Sequence, residues 1–160
     1  MFSETSTHPC RAIAFVDIEN LTGAPTFSDD DCTNVRDAIA TYLDGIAPDT
    51  QVVIACSHYA ARGVFTWSPA RKVFRSGSNG ADHALLDEMD LEFLPARFTD
   101  VVIASGDGIF AERAAALASR GVRVHVVSRR AALSRELELA AGVVHTLADI
   151  VIPAEEAAIA

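Results

Sequence analysis

The order of apolar runs and helical stripes predicts an α/β fold, with a central, mostly parallel sheet of about five strands and helices on both faces. Two observations carry that expectation. The runs Ala12–Ile18, Gln51–Cys56, Val101–Ala104 and Val122–Val127 are apolar nearly throughout, as strands buried on both faces are. Between them, apolar residues recur at helical spacing. Strands that alternate with helices pair in parallel, because each crossover returns the chain to the same edge of the sheet.

Taken in order, Ala12–Ile18 is the first strand, ended by Asp17 and followed by Glu19 and Asn20. Gly23 and Pro25 make Leu21–Phe27 a loop. Ser28 reads as an N-cap, and Asp29, Asp30 and Asp31 suit the positive end of a helix running through Val35, Ile39 and Leu43 to Gly45 or Pro48. Gln51–Cys56 is the second strand, and an irregular stretch with His58 reaches Pro69. Arg71–Arg75 reads as a short third strand and Ser76–Gly80 as a loop. Ala81–Phe93 reads as a helix ended before Pro95. Val101–Ala104 runs into Ser105-Gly106-Asp107, after which Phe110, Ala111, Ala114 and Leu117 mark a helix that stops near Gly121. A strand at Val122–Val127, a helix at Ala131–Ala141 and a short strand at Val143–Leu147 complete the chain. Residues 1–10 and 153–160 are expected to be flexible ends around a single domain at 11–152.

The chain has 160 residues, enough for one domain with a sizeable core, and half of them are hydrophobic. No apolar run is long enough to span a membrane, and Met1–Cys10 has no secretory pattern. Cys10, Cys32 and Cys56 are odd in number and lack metal-type spacing, so reduced thiols in a cytoplasmic protein are expected. A net charge of −9 argues against holding nucleic acid by bulk electrostatics. Yet no Asp or Glu occurs between Asp49 and Asp82, an interval that carries Arg62, Arg71, Lys72 and Arg75 with Tyr59, Phe65, Trp67 and Phe74. Such a segment can pack its aromatics inward. Alternatively Arg62, Trp67, Arg71, Lys72 and Arg75 form a face that tracks phosphates and stacks bases.

Three aspartates occupy equivalent places. Asp17 ends a buried strand; Asp82 opens a helix on the stripe shared by Leu85, Leu86, Met89 and Phe93; Asp107 bears the same relation to Phe110, Ala114 and Leu117. In an open α/β sheet the carboxyl ends of the strands are where ligands bind. Two neighbouring carboxylates repel by roughly 4 kcal/mol at an effective dielectric near 20, and no basic residue is adjacent in sequence to neutralise them. Hard oxygen donors without His or Cys favour Mg²⁺ or Mn²⁺. Asp17, Asp82 and Asp107 are therefore the candidate metal ligands and catalytic residues, and the chemistry that follows is phosphodiester hydrolysis. The bland alternative makes Asp82 and Asp107 helix caps and Asp17 a turn former. Glu19 shares a strand face with Asp17 by period two and is a further candidate ligand. Asn20 and Ser105 are candidates to support the ligands, and Asp87 to act through a water. His58 is a loop histidine or a general acid.

Asp17-Ile18-Glu19-Asn20, Gly80-Ala81-Asp82 and Ser105-Gly106-Asp107-Gly108-Ile109-Phe110, in that order, resemble the motifs of the NYN domain group within the PIN-like nucleases. The stretch Arg120–Val127 is similar to the family's segment after the last motif. The resemblance spans roughly Ala12 to Val127. It implies a three-layer, Rossmann-like PIN fold, a Mg²⁺ or Mn²⁺ site at the carboxyl edge of the sheet, and endonucleolytic cutting of single-stranded or structured RNA. It also implies that Asp17, Asp82 and Asp107 bind metal and that Asn20 is the family's asparagine. Two positions depart from the pattern: Ile109 stands where many members have a second Asp, and Asn79 where a Lys often precedes Gly-x-Asp.

Two competing classes remain at this level. A haloacid-dehalogenase-like phosphohydrolase would use Asp17 as nucleophile, but that family wants Asp-x-Asp there, and Lys72 is the sole candidate for its lysine. A binding module for RNA or protein that has lost catalysis is favoured by Ile109. Homodimerisation and a protein partner are both compatible with the sequence.

Overall fold

The chain lays down its sheet from the middle outwards. β1 (Ala12–Asp17) pairs in parallel with β2 (Gln51–Cys56) on one side and β4 (Asp100–Ala104) on the other. β3 (Arg71–Phe74) extends the sheet beyond β2, and β5 (Arg123–Ser128) and β6 (Val143–Thr146) extend it beyond β4, giving the order β3-β2-β1-β4-β5-β6. The computed structural model describes residues 9–23, 28–57, 64, 67, 69–77 and 79–147. Within these the sheet has six strands, all parallel, against the expected five or so. None of the described helices is long and apolar enough to cross a membrane.

Alternation along the strands divides the core into two layers. Ile13, Phe15, Val101, Ile103, Val124 and Val126 face one side. That side is covered by α3 (Gly80–Glu88), α5 (Ala111–Ser119) and α6 (Arg135–Ala140), with the short α4 (Phe93–Arg97) contributing Leu94. Ala14, Val16, Ile54, Val102 and Ala104 face the other, under α1 (Ile18–Thr22) and α2 (Asp29–Asp44). β1 and β4 are buried at every residue because each is flanked by strands and covered on both faces.

α2 begins as its sequence suggests. Ser28 Oγ accepts the Asp31 N–H at 3.0 Å and Asp31 Oδ2 accepts the Ser28 N–H at 3.1 Å, a reciprocal cap that accounts for the acidic triplet without a metal.

Three expectations need correction. The helix expected over Ala81–Phe93 ends at Glu88, and Phe93 starts a separate one. Asp90 Oδ1 accepts the N–H groups of Glu92 and Phe93 at 2.8 and 2.6 Å, which restarts the chain at a new angle. Pro95 then sits in the first turn of α4, where its missing N–H costs nothing. Phe93 is consequently 48% exposed rather than on the Asp82 stripe. The chain expected to loop from Leu21 instead completes α1 through Thr22, closed by Gly23 at φ 79°; residues 24–27 lie outside the described part. The helix expected from Ala131 starts at Arg135, because Ser134 Oγ caps it by accepting the Leu137 N–H at 3.1 Å.

Candidate active site

The sheet reverses its winding between β1 and β4, and the crevice beyond their carboxyl ends is where such folds place ligands. Asp17 closes β1, and Ser105-Gly106-Asp107 leaves β4. Both therefore arrive at this crevice by topology. Asp82 comes to it from the first turn of α3, which packs across β2, β3 and β1.

Two glycines let these elements approach. A Cβ at Gly80 would stand 2.4 Å from the Arg75 carbonyl oxygen, so only glycine lets α3 start against the end of β3. A Cβ at Gly106 would meet Ser128 Oγ at 2.3 Å and the Ala132 carbonyl at 2.4 Å. Asn79 has φ 56°, a left-handed conformation that asparagine tolerates better than most residues do.

Asp17 is buried, and its carboxylate is held from two sides. Oδ2 accepts the Ser105 hydroxyl at 3.1 Å, and Oδ1 accepts the Asn20 N–H at 3.4 Å. Ser105 Oγ also accepts the Asp107 N–H at 3.2 Å, and Asn20 Oδ1 accepts the Gly106 N–H at 2.9 Å. Ser105 and Asn20 thus tie the β4 loop to the end of β1. Asp107 caps the short turn after it, Oδ1 accepting the Ile109 N–H at 3.0 Å.

Asp82 is the electrostatic centre of the cluster. Burial first, then a hydrogen-bonding contact with Asp17 and the charges of Asp17 and Asp107, push its carboxyl up to about 9. Burial also raises Asp17, against the opposing effect of its hydrogen bonds with Asp82, Asn20 and Ser105. The three carboxyls line one pocket of about 190 Å³ together with Glu19, Asn20 and Arg75. Among the described residues no three acidic, His or Cys side chains are already posed around one point as metal ligands. That does not disqualify the donor set for Mg²⁺, which keeps several waters and is commonly held by one or two carboxylates plus substrate phosphate. An all-oxygen set that cannot ionise fully by itself suits such an ion.

The other expected site residues separate. Glu19 does line the pocket, but from α1 and not from a strand face; its Oε1 accepts the Ser57 N–H at 2.8 Å. Asp87 points away from the cluster and pairs with Arg75 at 3.1 Å. Ile109 packs against the main core, so that position brings no carboxylate to the pocket.

Among the described residues the cationic aromatic track contracts to one residue. Trp67 is 4% exposed and packs in the core, leaving no ring face for a base. Arg71 pairs with Glu88 at 2.9 Å and Lys72 Nζ donates to the Ala70 carbonyl at 3.4 Å. Among the four of the five that are described, Arg75 alone lines the pocket. Arg62, His58, Tyr59 and Phe65 lie outside the described residues. A segment without acids in sequence meets acids in space, because α3 lays Asp87 and Glu88 beside β3. Sequence reasoning overlooked Arg129, whose Nε–H donates to the Asn20 carbonyl at 2.9 Å; its place immediately after β5 was the available signal.

The family model of the NYN domain matches residues 11–148. The chain belongs to the NYN domain family. Its fold is similar to that of a protein of unknown function from Vibrio parahaemolyticus, at 15% identity and a TM-score of 0.62 over 92% of this chain and 99% of that one. A weaker likeness, at 14% identity and a TM-score of 0.43, covers 86% of this chain and 76% of the MAR1 ribonuclease from Caenorhabditis elegans. The search of curated proteins gave no match. NYN membership sets the dehalogenase-like alternative aside.

Proposed function

We propose that this NYN protein is a Mg²⁺- or Mn²⁺-dependent endoribonuclease whose catalytic residues are Asp17, Asp82 and Asp107. The observation that carries the reading is the shared pocket, in which Asp82 is held near a pKa of about 9 by burial and two other carboxyls. A structural carboxylate is given donors; this one is given acids.

In this reading Asp17, Asp82 and Asp107 hold the metal, with Glu19 as a further oxygen donor. The bound ion would lower the pKa of a water and neutralise charge on the non-bridging phosphate oxygens. The chain's own residues do the rest. Ser105 and Asn20 fix Asp17 and the Asp107 loop relative to each other, so the site does not have to assemble during the reaction. Arg75 meets a substrate phosphate at the pocket rim. Water attacks phosphorus in line, the P–O bond opposite breaks, and the leaving oxygen takes up a proton.

Incubation of purified protein with single-stranded and structured RNA and Mn²⁺ tests this. Internal cleavage that disappears in Asp17→Asn, Asp82→Asn and Asp107→Asn is the expected result. Intact RNA under those conditions would overturn it. One observation favours a second reading: with Ile109 packed into the core, the pocket lacks the second acid of the family pattern. A binding module without catalysis would retain RNA or a protein partner unchanged in Asp107→Asn.

A further inference from the structure

Arg129 leaves the sheet directly after β5, at the same carboxyl edge as the acid pocket and one strand beyond the Asp107 loop. Its guanidinium is positioned. Nε–H donates to the Asn20 carbonyl at 2.9 Å, and the group lies flat against Gly23. A Cβ at Gly23 would stand 3.0 Å from Arg129 Cζ and 3.1 and 3.2 Å from its two Nη atoms, so the absent side chain makes the seat. Gly23 is also at φ +79°, which an ordinary residue resists. Among the described residues no carboxylate pairs with Arg129, although the chain carries a net charge of −9. A guanidinium held in place at one nitrogen, with both Nη groups lacking a carboxylate, suits a phosphate.

A second cation sits at the opposite end of the same edge. Arg75 follows β3 and lines the acid pocket. Its pairing with Asp87 is exposed on both sides, so a phosphate can displace it at little cost. The order β3-β2-β1-β4-β5 puts four strand spacings, roughly 19 Å at about 4.8 Å each, between the backbones that carry the two arginines; both side chains reach inward from there, Arg75 to the acid pocket and Arg129 to Asn20, which lines that pocket too. The two guanidinium groups can therefore hold phosphates only a few nucleotides apart on one strand.

We infer that Arg129 is a substrate-positioning residue that grips a backbone phosphate of single-stranded RNA. The strand then crosses the carboxyl edge from Arg75 to Arg129, with the scissile phosphate over the acid pocket between them. The pocket of about 190 Å³ takes the scissile phosphate. The inference rests on the nuclease reading for its choice of RNA.

The test is binding, so that it does not depend on turnover. Fluorescence anisotropy is measured with Asp107→Asn protein, using a dinucleotide and a single-stranded RNA of about eight nucleotides, over a range of salt. Arg129→Ala is expected to weaken the longer RNA about five- to tenfold and to reduce the salt slope by about 0.7, leaving the dinucleotide unaffected. Arg129→Gln, which keeps a donor for the Asn20 carbonyl and loses the charge, should match Arg129→Ala, and Arg129→Lys should restore the slope. Unchanged affinity and slope in a folded Arg129→Gln protein would overturn the inference, as would equal losses for both RNAs or no RNA binding by the parent. Arg129-dependent binding by a protein that never cleaves RNA would refute the nuclease reading alone. Cleavage with Arg129-independent binding would refute only the positioning role.

Discussion

The two edges of the sheet each bury a carboxylate, and they treat it in opposite ways. At the amino edge, Asp100 opens β4 and is surrounded by donors. Thr99 Oγ1 donates to it at 2.7 Å, Cys10 Sγ at 3.1 Å, and His125 Nε2 stands 2.7 Å away, with Tyr42 OH 3.2 Å from the other ring nitrogen. Burial works to raise the Asp100 carboxyl, but hydrogen bonds from His125, Thr99 and Cys10 outweigh it and hold the group below its ordinary value. At the carboxyl edge, Asp82 faces Asp17 and Asp107 and is pushed up to about 9. Burial alone therefore does not mark a functional acid. The partners do: donors make a carboxylate a structural pin, and other acids leave it waiting for a cation.

The contrast can be broken first at the carboxyl edge. Asp107→Asn is expected to reduce Mn²⁺-dependent RNA cleavage by on the order of 10²–10³-fold while leaving Tm no lower, measured by gel assay and thermal melt. Parallel losses of activity and Tm would mean that Asp107 is another pin.

Asp100→Ala should behave in the reverse manner. It leaves the buried His125 without its partner at Nε2, costing on the order of 2–3 kcal/mol, or roughly 5–10 °C in Tm, with cleavage per folded molecule unchanged. Intact stability would end the distinction between the edges.

Their pH dependences should oppose each other as well. Asp82 titrates higher folded than unfolded, so its protonated form favours the native state. Its contribution is complete below the ordinary value of 3.8 and is lost as pH rises towards about 9. Metal-free protein should therefore lose stability over that range. Asp82→Asn should flatten the slope and raise Tm near neutral pH by roughly 4–8 °C, if the cost of protonating Asp82 on folding that it removes is about 2 kcal/mol. Mn²⁺ should flatten it in the parent. Asp100 titrates lower folded than unfolded, so its contribution is present above 3.8 and lost as pH falls below it. A melt series in which Asp82→Asn keeps the parental slope would refute the account of the cluster.

The smallest effect is expected at the rim. Arg75→Ala should raise KM a few-fold with little change in kcat, if Arg75, which lines the pocket, serves as proposed to hold phosphate and not the reacting water. A fall in kcat alone would place it in the chemistry.

Much of this arrangement was legible before any coordinates. Asp17 at the end of an apolar run and Asp82 and Asp107 in helical phase with Leu85 and Leu117 are local patterns, and with an all-parallel α/β order they fall at one edge. Glu19 was drawn to the right pocket by the wrong periodicity, since α1 begins one residue after Asp17. The break after Glu88 was hidden. It depends on Asp90 capping α4 and on Arg113, which reaches from α5 to donate to the carbonyls of Leu86 and Met89 at the end of α3. Trp67 illustrates the same limit: an aromatic among cations reads as a stacking platform until the second core layer closes over it.

Local spacing, then, sufficed for the alternation of strands and helices, the three aspartates and the family pattern, because each is written within a dozen neighbouring residues. Among the described residues, which cations carry an acidic partner was settled by packing. Arg71 and Arg75 gained acidic partners from α3, while Arg129, distant from every motif in sequence, was brought to Asn20 and the Gly23 seat. Ion pairs and a seat against a glycine depend on distances across the fold, and those exist only once the helices have docked on the sheet.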